Sequence, residues 1–139
     1  MKRLIILATL GILAISACKR REDPKPSGDV AGKGGNAGIA VTPKHHAKYI
    51  DSCTVYLKYN TLDLPSATFD ASKYDESVKC VKINDSVGVA NFTGLKKGNY
   101  YLYGVGWDRN IMDTVVGGKP LTITGDSTYN INLSVTEGD

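Results

Sequence analysis

The chain has 139 residues, enough for one domain, and a formal charge of +3 that is unevenly placed. Lys2 and Arg3 supply two of those charges, residues 18–36 hold five bases against three acids, and residues 37–139 hold ten bases against eleven acids. The bulk of the chain is therefore near neutral, which removes the electrostatic case for a nucleic-acid partner. No apolar run reaches the roughly 20 residues that a membrane-spanning helix needs.

Taken in order, the chain opens with Lys2 and Arg3 and an apolar run from Leu4 to Ile15 (LIILATLGILAI). That run is too short to span a bilayer and fits the apolar core of a secretory signal, followed by small residues at the cleavage position. The stretch Ile15-Ser16-Ala17-Cys18 resembles the lipobox of bacterial lipoproteins. The resemblance implies cleavage before Cys18, a diacylglycerol on its sulfur and an acyl chain such as palmitate on its amine. It places the protein in the cell envelope, lipid-anchored, most naturally at the outer membrane on its periplasmic or surface face. Residues 1–17 are then signal peptide, and 18–36 (CKRREDPKPSGDVAGKGGN) a lipidated Cys and a disordered tether rich in Pro and Gly. As a coil that tether spans about 23 Å, and Lys19, Arg20 and Arg21 lie where anionic headgroups attract them.

Residues 37–139 read as strands throughout. Ala37, Ile39 and Val41 alternate with smaller or polar residues up to Pro43. In 52–59, Cys53, Val55, Leu57 and Tyr59 share one face. Residues 60–76 form a long polar connection, Val78–Ile83 a short strand, and Asn84-Asp85-Ser86 a turn after which Val87–Phe92 pairs back. A long strand runs from Tyr100 to Asp108 and a short one from Leu121 to Thr124. The last, 128–136, points Tyr129, Ile131, Leu133 and Val135 inward. This pattern predicts an all-β fold: a single antiparallel β-sandwich of about seven strands, immunoglobulin-like or transthyretin-like. Within it, Gly88, Ala90, Phe92, Leu95, Gly98, Tyr100 and Leu102 resemble the G-x-A-x-F-x-x-L-x-x-G-x-Y-x-L core of carboxypeptidase regulatory-like domains, which have the transthyretin-like sandwich. The resemblance covers about a fifth of the domain. It implies an accessory or binding module and no catalytic activity.

Chemistry-bearing residues are few. With Cys18 lipidated, Cys53 and Cys80 remain as an even pair in an oxidising compartment, the pattern of one disulfide. Cys80 is nonetheless out of step with Val81 and Ile83, so the two thiols need not face each other. His45-His46 is the one cluster suited to zinc or copper, with Asp51 the nearest extra ligand. Neighbours on a strand, however, point to opposite faces, and TPKHHAK reads as a solvated loop. No G-x-S-x-G, H-E-x-x-H or phosphate-loop spacing occurs, so no enzyme and no cofactor are expected.

Aromatics carry the strongest ligand signal. Tyr101, Tyr103, Val105 and Trp107 share one face of the long strand, with Tyr56 beside them, and aromatic faces with polar tips suit a glycan or an envelope protein partner. Asp85-Ser86-Val87, Asp113-Thr114-Val115 and Asp126-Ser127-Thr128 resemble the acceptor pattern by which some Gram-negative bacteria O-glycosylate exported proteins, at Ser86, Thr114 and Ser127. The expected function is a lipid-anchored, non-catalytic binding or scaffolding module. The alternatives are a periplasmic metal-binding lipoprotein using His45 and His46, or an accessory subunit of an envelope enzyme.

Overall fold

The computed structural model describes residues 30–50, 52–83 and 87–138. Cys18, Asp51 and Ser86, singled out above, lie outside them, as does most of the tether. The described residues are almost entirely β: β1 Lys33–His45, β2 Lys48–Tyr49, β3 Cys53–Tyr59, β4 Glu76–Lys79, β5 Val81–Lys82, β6 Gly88–Leu95, β7 Gly98–Asp108, β8 Asp113–Ile123 and β9 Thr128–Glu137. A 3-10 turn at Ala71–Lys73, capped by the Asp70 carboxylate on the Ser72 N–H, is the helical exception.

These strands form one connected sheet in the order β4-β3-β7-β8-β9-β1-β6-β5, with the short β2 beside β1. Its two edge strands, β4 and β5, are separated in sequence by Cys80 alone, and β4 packs against β6. The sheet is thus curled into a nearly closed, barrel-like body. Closure of this kind hides edges that would otherwise template association. Nine strands stand where about seven are expected, and the all-antiparallel expectation fails at one seam: β1 and β9 run parallel, Gly38 opposite Thr128 through His45 opposite Val135.

Three differences have identifiable physical causes. β8 is far longer than the predicted Leu121–Thr124 strand because it also takes in 113–120, with Gly117, Gly118 and Pro120 inside it. A side chain at Gly117 would collide with the Ser134 carbonyl of β9, and one at Gly118 with the Tyr101 ring, so both glycines permit close approach rather than a turn. The predicted Val78–Ile83 strand is two strands, because the chain at Cys80 leaves β3 and crosses to β6; Val81 and Ile83 are exposed in consequence. Finally, β1 begins at Lys33, inside the stretch read as tether. A register shift between Lys33 and Ala37, both opposite Leu95, takes up Gly34-Gly35-Asn36 as a bulge.

The core follows the alternation. Ile39 and Val41 of β1, Val55 and Leu57 of β3, Ala90, Phe92 and Leu95 of β6, Tyr100 and Leu102 of β7, and Leu133 and Val135 of β9 are all buried. Gly98 adopts a φ of 140°, a conformation that side chains resist, and turns the chain from β6 into β7. Tyr100 has no exposed surface; its hydroxyl donates to the Lys96 carbonyl at 2.7 Å and accepts the Gly32 N–H at 3.0 Å. That bond to a carbonyl four residues upstream has the form of a tyrosine corner.

Candidate functional site

The phase of β7 is as the alternation predicts. Tyr100, Leu102, Gly104, Gly106 and Asp108 face inward, while Tyr101, Tyr103, Val105 and Trp107 face out. The outer row is nevertheless not an open aromatic platform. The 60–76 connection folds back across it: Phe69 stacks on Tyr103 with centroids 5.5 Å apart and ring planes within 10°, and Tyr74 lies 5.9 Å from the same ring. Tyr56, paired with Tyr103 across β3 and β7, meets Phe69 edge-on at 4.9 Å. Tyr101 is half-buried over Gly118. Burial, and then the neighbouring Tyr103 and Tyr101, push the Tyr74 hydroxyl up to about 12.

Trp107 escapes this cover. It is 41% exposed and borders an open groove of about 360 Å³ walled by Thr54, Cys80, Lys79 and Val105. Its backbone is fixed by an N–H bond to the Ser52 carbonyl at 2.9 Å and by pairing with Thr114 of β8. The groove thus offers one indole face, a lysine and a hydroxyl. This is a combination that grips the apolar face and the hydroxyls of a sugar, or a short peptide.

Cys53 and Cys80 meet at the floor of the same groove. They stand opposite one another beyond the Thr54–Lys79 pair, and the Cys80 N–H donates to the Cys53 carbonyl at 2.8 Å. The expected disulfide is not formed: both are free thiols, with Cys53 buried and Cys80 partly exposed. The interaction between the two thiols, followed by burial, raises the Cys53 thiol, and the same interaction lowers that of Cys80 against the effect of its own burial. Cys80 faces the groove because it keeps phase with Val78 in β4, not with Val81 after the break.

His45 and His46 are not a solvated pair on opposite faces. His45 ends the inward series Ile39, Val41, Pro43 of β1 and is only 3% exposed. His46 lies in the turn that follows, at a φ of 46°, and this left-handed step returns its ring to the same side, 4.1 Å from that of His45. Two acids absent from the sequence-based reading complete the cluster. The Asp108 carboxylate, itself buried, lies 2.7 Å from His45 Nδ1 and also takes the N–H of Asn110 at 2.8 Å. The hydrogen bond with Asp108 raises the His45 pKa, and the same bond holds the Asp108 carboxyl below its usual range. Glu137, at the end of β9, approaches from the other side: its Oε1 is 3.5 Å from His45 Nε2 and 3.9 Å from His46 Nε2.

Of the O-glycosylation candidates, Thr114 and Ser127 are exposed, Thr114 within β8 and Ser127 in the β8–β9 turn. No family model matches the chain, and no curated protein matches it.

Proposed function

We propose that this protein is a lipoprotein of the cell envelope, held by an acylated Cys18, whose β domain is a non-catalytic module that binds a glycan in the groove beside Trp107. The observation that carries this reading is the indole itself. A tryptophan 41% exposed gains little on folding, yet here its backbone is fixed on two sides and its ring borders a concave surface. Stacking on a sugar ring gives that exposed area a use. The lipobox resemblance at Ile15–Cys18 supplies the anchor, and the outer membrane is the location it implies. The match of Gly88 to Leu102 with carboxypeptidase regulatory-like domains supports kinship with transthyretin-like accessory modules, which bind or scaffold rather than catalyse.

The test uses the one indole as its own reporter. Soluble cell-wall oligosaccharides titrated into the full chain in detergent should quench or shift Trp107 emission saturably. Trp107→Ala should keep the melting temperature within a few degrees and weaken retention on immobilised glycan by at least about tenfold, or 1.4 kcal/mol. Emission that no oligosaccharide moves, together with unchanged retention of Trp107→Ala, would refute the glycan reading.

A further inference from the structure

The cluster at the ends of β1, β7 and β9 leaves one buried ring nitrogen without a hydrogen-bond partner among the described residues. The Asp108 carboxylate, which also takes the Asn110 N–H, lies 2.7 Å from His45 Nδ1 and accepts a hydrogen bond from that nitrogen. A neutral His45 then carries its lone pair on Nε2. That Nε2 is buried, has no hydrogen-bond partner among the described residues, and faces a Glu137 carboxylate oxygen at 3.5 Å. Two acceptors at that separation repel unless a positive centre lies between them. The His46 Nε2 is directed at the same carboxylate oxygen from 3.9 Å, and all three donor atoms lie within 4.8 Å of one another.

We propose that His45 Nε2, His46 Nε2 and the Glu137 carboxylate bind one borderline divalent transition ion of the zinc class, with Asp108 orienting His45 from behind. Bonds of about 2.0–2.1 Å at tetrahedral angles set donor atoms about 3.3 Å apart, close to the spacing of the His45–Glu137 pair. The His46 and Glu137 side chains, 71% and 51% exposed, are free to rotate and close the rest of the spread, which lies within 4.8 Å. Two imidazoles exclude calcium and magnesium, which take oxygen donors. A carboxylate on the far nitrogen of a ligating imidazole is the usual way that a histidine ligand has its tautomer and ring plane fixed. Three protein donors leave a fourth position open. It faces a recess of about 140 Å³ edged by Lys48, Asn110 and Ile111, where water or an anion completes the shell.

This site is independent of the groove beside Trp107 and stands or falls apart from it. The test is calorimetric titration of zinc chloride into the full chain, purified in detergent without a histidine tag. Magnesium chloride serves as the hard-cation control, and histidine ¹⁵N NMR is read in parallel. The expected result is one zinc per chain with a dissociation constant of about 10 µM or tighter, no magnesium heat, and loss of any Nε2 proton signal from His45. His46→Ala and Glu137→Gln, both at exposed positions, should retain the apo melting temperature and weaken zinc at least tenfold. Asp108→Asn should keep the fold and weaken zinc about 10- to 100-fold through His45. Wild-type affinity in the His46→Ala/Glu137→Gln double variant would overturn the proposal. So would an Nε2 that stays protonated at saturating zinc, because the positive centre between His45 and Glu137 is then a proton.

Discussion

Tyr100 is where one side chain holds the largest share of the fold, and its two functions separate cleanly by mutation. Its ring is fully buried against Tyr59 at 5.7 Å, and its hydroxyl ties the Lys96 carbonyl to the Gly32 N–H. Tyr100→Phe keeps the ring and strands both backbone groups. An unmet buried group costs about 1–3 kcal/mol. The Gly32 N–H is buried and bears the full cost, while the Lys96 carbonyl lies nearer the surface and regains water. The expected loss is therefore about 2 kcal/mol, which lowers the melting temperature by roughly 10 °C in a domain of this size. Tyr100→Ala adds a cavity and should cost about 3–5 kcal/mol. Urea unfolding followed by far-ultraviolet circular dichroism measures both. Hydrogen exchange adds a local readout: Gly32 sits where the chain enters β1, and its own carbonyl accepts the Lys96 N–H at 2.8 Å. The Phe variant should lose protection at Gly32 and Lys96 before the rest of β1. A Phe variant within about 0.5 kcal/mol of wild type would refute the hydroxyl as a tie between β1 and the β6–β7 turn.

Native alkylation should label Cys80 well before Cys53, because Cys80 lines the groove and has the lowered pKa, whereas Cys53 is buried and raised. Equal rates, or no labelling until reductant is added, would contradict the free, unequal thiols. Tyr74 gives a pH dependence. Its folded-state pKa of about 12 exceeds the unfolded value near 10, so its contribution is complete below pH 10 and lost as pH rises from about 10 to 12. The urea midpoint should fall across that window, less steeply in Tyr74→Phe; identical slopes would mean that Tyr74 is not covered by the aromatic loop.

The alternation rule carried the body of the fold because burial on one face of a strand enforces a period of two. It placed Cys53, Val55 and Leu57, and it separated Tyr100 and Leu102 from Tyr101 and Tyr103 correctly. It failed where a residue's local meaning and its tertiary use diverge. Gly117-Gly118-Lys119-Pro120 has turn composition, yet each glycine is needed for the close approach of a neighbour that only the folded chain supplies. The cover over Tyr103 has the same origin, since Phe69 and Tyr74 have no period of their own and take their places by packing on Tyr103 of β7 and Tyr56 of β3. Strand pairing was likewise hidden, because nothing local distinguishes the parallel β1–β9 seam from an antiparallel one.

That seam also explains why the histidine cluster was legible in part and overlooked. His45 follows Ile39, Val41 and Pro43; Asp108 follows Leu102, Gly104 and Gly106; Glu137 follows Ile131, Leu133 and Val135. Each is the last member of an inward-facing series, so alternation alone aims a histidine and two acids toward the interior. A buried charge requires a partner, and His45 and Asp108, with the more exposed Glu137 in the same phase, raise the question of whether those strand ends meet. Topology answers it. The parallel pairing brings the ends of β1 and β9 to one rim, His45 opposite Val135 and thus one side-chain step from Glu137. Antiparallel pairing of β8 with both β7 and β9 brings the end of β7 there too, Asp108 opposite Asp113 and Glu137 opposite Val115. A polar residue that ends an apolar strand series is therefore better weighed by its phase than by the loop composition after it.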